Sequence, residues 1–258
     1  MKGKVYLIGA GPGDPELLTL KAARLLSRAN VVLHDALVSK EVLALIFRDA
    51  EVIDVGKRAG RKLLTQEEIN ALLISYAETR ATVVRLKGGD PSIFGRAGEE
   101  VEALRKAGIE YEIVPGITAA LGAAAVAGIS LTDRRVASQI LITTFSRGTE
   151  GSGMDWGCVT STTTLVLYMP GAHYAEVSER LLEGGLPPDL PCAIVSNATG
   201  SLQQVRWSCV GRFASEEKLP APALLIVGRV ASREVEELRS AFWDGEGKTA
   251  PPQHLPVS

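Results

Sequence analysis

Apolar and polar positions follow two rhythms along this chain. Residues 4–9, KVYLIG, form an apolar run of strand length, whereas residues 16–29, ELLTLKAARLLSRA, place leucine and alanine at helical spacing. The exchange then recurs. NVVLHD (30–35) predicts a strand, SKEVLALIF (39–47) a helix and EVIDVG (51–56) a third strand. TQEEINALLISYAETR (65–80) predicts a helix opened by a capping box, because Thr65 and Glu68 stand three residues apart ahead of an apolar run. ATVVRLKG (81–88) reads as a strand, AGEEVEALRKAG (97–108) as a helix ended by Gly108, and YEIV (111–114) as a strand. Strands that alternate with helices imply βαβ units on a parallel sheet.

The rhythm changes at VPGIT (114–118). The small residues of AALGAAAVAG (119–128) allow very close packing against a neighbour. After them come QILITTF, TTLVLYM, CAIVS, QQVRWSCV and ALLIVGRV, with helical stretches near 174–183 and 231–241, so this half is richer in strands and predicts a mixed sheet. The fold class is therefore α/β in two domains, residues 1–114 and 115–243. The proline-rich polar segment 244–258 is expected to be a flexible tail.

Composition narrows the function. At 46% hydrophobic, 258 residues supply a sizeable core. A net charge of −2 gives no global basic field, so neither nucleic acid nor an anionic membrane is an expected partner. The apolar stretch at 5–8 is too short for a signal segment or a membrane span. Cys158, Cys192 and Cys209 are far apart and match no metal spacing. They read as reduced, mostly buried thiols of a cytoplasmic protein, and no metal is expected.

Three turns carry candidate chemistry. GAGPGD (9–14) follows a strand and precedes a helix, as a dinucleotide-phosphate loop would. However, Asp14 stands where the third glycine belongs and would repel a pyrophosphate, and Pro12 removes an amide donor. Phosphate binding is disfavoured, which leaves either a tight strand–helix turn or a site for another ligand. In VVRLKGGDPSIFGRAGEE (83–100), Gly88 and Gly89 permit close backbone approach, and Asp90 can accept from a ribose or an ammonium. PGITAA (115–120) is a third turn of small residues. Together they suggest a cleft for an uncharged or cationic nucleoside. The run VGKRAGRK (55–62) holds Lys57, Arg58, Arg61 and Lys62 without an acid between them. It reads either as a solvated loop or as a sub-site for a polycarboxylate. At the end of the second strand, His34 and Asp35 read as caps or as catalytic groups.

In combination, GAGPGDPELLTLKA, HDALVS, VGKRAG, QEEIN, VVRLKGGDPSIFGRAGEE, VPGIT and AGISLT resemble the uroporphyrinogen-III C-methyltransferases of the tetrapyrrole methylase family. The likeness is nearly continuous over residues 5–132 and continues more weakly through LVLYM, VSNAT and PALLIVG. The resemblance implies a cleft between the two domains that holds S-adenosyl-L-methionine. It also implies a homodimer, and methylation of uroporphyrinogen III at C2 and C7 to give precorrin-2. Cofactor contacts would then fall on Pro12, Gly88, Gly89, Asp90, Ile93, Thr118, Ala119, Met169 and Ala198. Asp35 and Lys57 match the family's proton acceptor and donor. Arg58, Arg61 and Lys62 would meet the carboxylates of the substrate. Alternatives are another precorrin C-methyltransferase and a non-catalytic cofactor-binding relative. Three positions depart from the family pattern: TTFS (143–146) replaces a segment like VTGH, Asp133 stands in LTDR where histidine is usual, and Pro170 follows Met169 where glycine is usual. By the resemblance, the first lies on the substrate side and bears on the second methylation or on the substrate fit.

Overall fold

The computed structural model describes residues 2–56, 64–145, 154–171 and 173–232. Lys57, Arg58, Arg61 and Lys62, together with Ser146 of the TTFS stretch, nearly all of the expected helix 231–241 and the tail 244–258, lie outside the described residues.

Five parallel strands build the first sheet: β1 (Lys4–Gly9), β2 (Val31–His34), β3 (Glu51–Asp54), β4 (Thr82–Lys87) and β5 (Glu110–Val114), in the order β3-β2-β4-β1-β5. Between them run α1 (Leu20–Leu26), α2 (Lys40–Leu43), α3 (Gln66–Thr79) and α4 (Ala97–Lys106). Both faces are covered. Val5, Leu7, Val31, Leu33 and Val83 pack with α3 and α4, while Ile8, Val32, Val84 and Leu86 pack with α1 and α2. Such two-sided burial explains the apolar runs VYLI of β1 and VVL of β2.

The elements expected within residues 1–114 are present, with α1 and α2 shorter than expected. The stretch 16–29 holds only α1, preceded by a 3-10 turn at Pro15–Leu17, because Thr19 caps the helix by accepting from the Ala22 N–H at 3.2 Å. Similarly, Ser39 caps α2 through the Val42 N–H at 3.2 Å, and α2 ends after one turn. The capping box of α3 forms as the spacing predicts: the Glu68 N–H donates to Thr65 Oγ1 and the Thr65 N–H to Glu68 Oε2.

The second sheet is mixed. It comprises β6 (Gln139–Thr144), β7 (Thr163–Tyr168), β8 (Pro191–Ser196), β9 (Gln204–Cys209) and β10 (Ala223–Val227), in the order β6-β7-β10-β8-β9. Only the β6–β7 pair is parallel. On one face, α5 (Ala119–Val126) lays Ala120, Ala123 and Ala124 against Val166, Ala193, Val195, Leu224 and Ile226. On the other face, α6 (Tyr174–Glu183) packs Tyr174, Val177 and Leu181 against Leu165, Leu167, Ile194 and Leu225. No described helix is long and apolar enough to cross a membrane.

All three cysteines are free thiols, but the expectation that they are mostly buried needs correction. Cys192 is buried, Cys209 is intermediate and Cys158 is exposed, because it ends a 3-10 turn (Trp156–Cys158) on the surface.

Candidate active site at the strand ends

Because the first sheet is wholly parallel, its carboxyl-terminal loops all emerge on one edge, where open α/β sheets bind ligands. The loops after β1, β4 and β5 meet there in one backbone knot. A Cβ on Gly9 would lie 2.6 Å from the Cα and N of Gly116 and from the Gly89 carbonyl oxygen. A Cβ on Gly116 would lie 2.4 Å from that same oxygen. Gly11 and Gly89 bridge the first two loops: the Gly89 N–H donates to the Gly11 carbonyl at 2.8 Å, and the Gly11 N–H donates back at 3.2 Å. Gly89 has φ +66°, a left-handed conformation that a branched side chain adopts only under strain.

Asp90 secures this knot. Its Oδ2 accepts from the Gly116 N–H at 2.9 Å and its Oδ1 from the Ser92 N–H at 2.8 Å. Each oxygen retains a lone pair for a ligand. Ile93 follows in the same turn, its N–H donating to the Asp90 carbonyl at 3.2 Å.

The GPGD turn is joined to the second half of the chain. The Asp14 N–H donates to Thr199 Oγ1 at 3.1 Å, and the Asp14 side chain accepts from the Glu16 N–H at 2.9 Å. The carboxylate thus takes the position at the turn's amino end where a phosphate would sit. Pro12 packs against α5 so closely that a Cβ on Gly122 would be 2.6 Å from the Pro12 Cβ. This is the close approach that the small residues of 119–128 predict. Ala198 borders the same turn: its carbonyl is 3.4 Å from where a Gly13 Cβ would stand.

From the second sheet, Tyr168 at the end of β7 reaches the start of α5. Its hydroxyl oxygen accepts the Ala120 N–H at 2.8 Å and lies 2.5 Å from Thr118 Oγ1. Burial pushes the Tyr168 phenol above its usual range. Phe94, from the loop after β4, places its ring 5.1 Å from that of Tyr168. Met169 follows Tyr168 at φ +52° and is half exposed. Among the described residues, the non-glycine positions with positive φ are Phe94, Arg96, Met169, Asn197 and Thr199, all in loops after β4, β7 and β8. Strained backbone of this kind gathers at ligand sites.

Asp35 follows β2 on the same edge. Its carboxylate does not cap a helix; Ser39 does that. Instead, Asp35 Oδ1 pairs with the Nη2 of Arg85, whose side chain is buried in β4. Arg85 Nε donates to Glu100 Oε1 at 2.9 Å, and Lys87 Nζ donates to that oxygen at 2.9 Å. Gln66 of α3 adds a longer contact at 3.4 Å. Burial, and then the Arg85 charge, push the Lys87 ammonium below the ordinary lysine range. His34 is buried, with Nδ1 3.0 Å from the Asp35 carbonyl oxygen, a structural placement.

The structure therefore gathers Pro12, Gly88, Gly89, Asp90, Ile93, Thr118, Ala119, Met169 and Ala198 on the loops that meet at this edge or on the loops of the second sheet joined to it. Asp35 stands beside them, since Gly88 faces the 35–39 loop, with a Cβ there 3.2 Å from Leu37 Cβ. Sequence reasoning missed Arg85, Lys87, Glu100, Phe94 and Tyr168. A signal existed: two cations at alternate positions of an otherwise apolar strand, VVRLK, share one face and require a buried acid. Of the family departures, Asp133 is held by its neighbour, with Arg135 Nε and Nη2 donating to its carboxylate at 2.9 and 2.7 Å. Phe145 of the TTFS stretch packs between Trp156 and His173, with ring centroids 6.1 and 5.3 Å away.

Comparison with known proteins bears on this arrangement. The family model for tetrapyrrole (corrin/porphyrin) methylases matches residues 4–211. The chain is 48% identical to the uroporphyrinogen-III C-methyltransferase of Paracoccus denitrificans over 235 residues, 89% of this chain and 82% of that one. It is 48% identical to the siroheme synthase of Actinobacillus pleuropneumoniae over 230 residues, 88% of this chain and 47% of that one. The chain thus spans about half the length of the siroheme synthases it matches. The crystal structure of uroporphyrin-III C-methyltransferase from Thermus thermophilus complexed with S-adenyl homocysteine matches with a TM-score of 0.77 and 41% identity, covering 88% of this chain and 98% of that one.

Proposed function

This chain belongs to the tetrapyrrole (corrin/porphyrin) methylase family, and on that premise we propose that it methylates uroporphyrinogen III at C2 and C7 from S-adenosyl-L-methionine, giving precorrin-2. The observation that carries the reading is the knot of Gly9, Gly89 and Gly116 at the strand ends, in a chain 48% identical to a uroporphyrinogen-III C-methyltransferase. The knot suits a cofactor without phosphates. Asp14 and Pro12 turn a phosphate away, and a carboxylate beside a glycine-lined floor favours a cationic ligand.

Pro12, Gly88, Gly89, Asp90, Ile93, Thr118, Ala119, Met169 and Ala198 would hold the cofactor. When bound, it supplies an electrophilic methyl group on a sulfonium. The electron-rich macrocycle contributes the carbon nucleophile, so the chain's main task is alignment, which can lower a barrier by ~7–11 kcal/mol. Asp35, which pairs with Arg85, would accept the proton that leaves the macrocycle once the new carbon–carbon bond forms. Lys57 would serve as the donor partner, and Arg58, Arg61 and Lys62 would bind the substrate's carboxylates. We place the enzyme in the cytoplasm as a homodimer, following the family resemblance.

A second reading has one observation behind it. The cobalt precorrin-4 methyltransferase structure matches at the same TM-score, 0.77, but at only 29% identity, which ranks methylation of a later precorrin below the first reading. Incubation of the protein with S-adenosyl-L-methionine and uroporphyrinogen III, followed by mass and visible spectra, separates the cases. Two added methyl groups support the proposal. Cofactor binding without methylation of this substrate overturns it in favour of a later precorrin or a non-catalytic relative.

A further inference from the structure

Beneath the strand-end loops, four alternating charges run from the protein interior to its edge: Lys87, Glu100, Arg85 and Asp35. The first three side chains are essentially inaccessible, at 3%, 0% and 3% exposure, and only Asp35, at 31%, reaches the surface. Glu100 Oε1 carries both cations, while Glu100 Oε2 is buried with no hydrogen-bond partner among the described residues. This is a demanding arrangement for stability alone, because charges taken out of water lose hydration that mutual attraction only partly restores. An apolar strand would fill the same space.

The geometry points to a positional role. The Arg85 guanidinium is fixed on three sides: Nε on Glu100, Nη1 on the carbonyls of Leu33 and Leu86 at 3.4 and 3.2 Å, and Nη2 on Asp35. A planar fork held at two corners can present its third in one direction only. We propose that Glu100 and Arg85 are positioning residues that aim the Asp35 carboxylate at the reacting macrocycle, with Lys87 holding Glu100 in place. The inference rests on the methyltransferase reading and on Asp35 as proton acceptor. Glu100 acts at a distance, through Arg85, and touches no ligand.

The test is a double-mutant cycle on the full chain, with S-adenosyl-L-methionine and uroporphyrinogen III as substrates. Arg85→Lys keeps the charge but cannot span Asp35 and Glu100 together. It is expected to lower kcat ~10²-fold, with KM for both substrates within about two-fold. In an Asp35→Asn background the same substitution is expected to change kcat by less than about three-fold, because a residue that acts through Asp35 has nothing left to aim. Glu100→Gln is expected to give the same pattern. Equal losses in both backgrounds would overturn the inference and leave the enzyme's reading intact. Normal turnover of Asp35→Asn alone would remove Asp35 and this inference together, and failure of the wild-type chain to methylate would remove the reading itself. Should the Arg85 and Glu100 variants not fold, side-chain nitrogen NMR of the wild-type protein decides: restricted guanidinium rotation at Arg85 that Asp35→Asn releases supports the proposal, and free rotation in the wild type refutes it.

Discussion

Replacing Gly9 with alanine adds a single methyl group at the tightest point of the strand-end knot. That methyl would meet Gly116 Cα, Gly116 N and the Gly89 oxygen at 2.6 Å, whereas ordinary contact begins near 3.4 Å. Three backbone atoms on two loops must therefore retreat by about 0.8 Å. None of them ends a flexible side chain, so the penalty belongs at the upper end of the overpacking range, about 3 kcal/mol. At ~2–4 °C per kcal/mol for a chain of this size, the thermal midpoint is expected to fall by about 6–12 °C. Because the displaced atoms form the proposed cofactor floor, S-adenosylhomocysteine affinity should fall as well. Gly98→Ala is the control. It lies in α4 with nothing within 4 Å of the new Cβ, and alanine there is expected to stabilise by about 0.5–1 kcal/mol through helix propensity. Scanning calorimetry and titration calorimetry on the two variants decide the matter. If Gly9→Ala keeps both the wild-type midpoint and the wild-type affinity, the knot neither shapes the fold nor the site.

Asp35→Asn is expected to lower turnover ~10²–10⁴-fold while S-adenosylhomocysteine binding stays at the wild-type level; unchanged steady-state turnover refutes the proton-acceptor role. The double variant Lys57→Met, Arg58→Met is expected to raise the KM for uroporphyrinogen III, most strongly at low salt where charge attraction is least screened, and a KM unmoved at low salt supports a solvated loop. For the thiols, alkylation followed by peptide mass mapping should label exposed Cys158 first. Burial keeps Cys192 inaccessible and pushes its thiol well up, so Cys192 should react only on unfolding, and early labelling there contradicts its placement.

Local sequence determined the elements whose causes are local. β1 and β2 show as apolar runs of strand length, and α3 begins at Gln66 because Thr65 and Glu68 close a capping box four residues long. The character of the GPGD turn was equally legible, since Asp14 and Pro12 disfavour a phosphate by their own chemistry. Motif spacing also put Asp90, Thr118 and Asp35 on loops after strands, where the structure has them, though not what each one touches. Those contacts belong to tertiary structure. Gly9, Gly89 and Gly116 are separated by 80 and 27 residues, and only the parallel order β4-β1-β5 brings their loops into contact. Asp90 becomes a strut because Gly116 arrives within reach of it. The alternate cations Arg85 and Lys87 of β4 hint at a buried acid, but only the packing of α4 on the sheet supplies Glu100 and closes all three from water. A charge's meaning depends on whether water can reach it, and that is decided by residues distant in the chain.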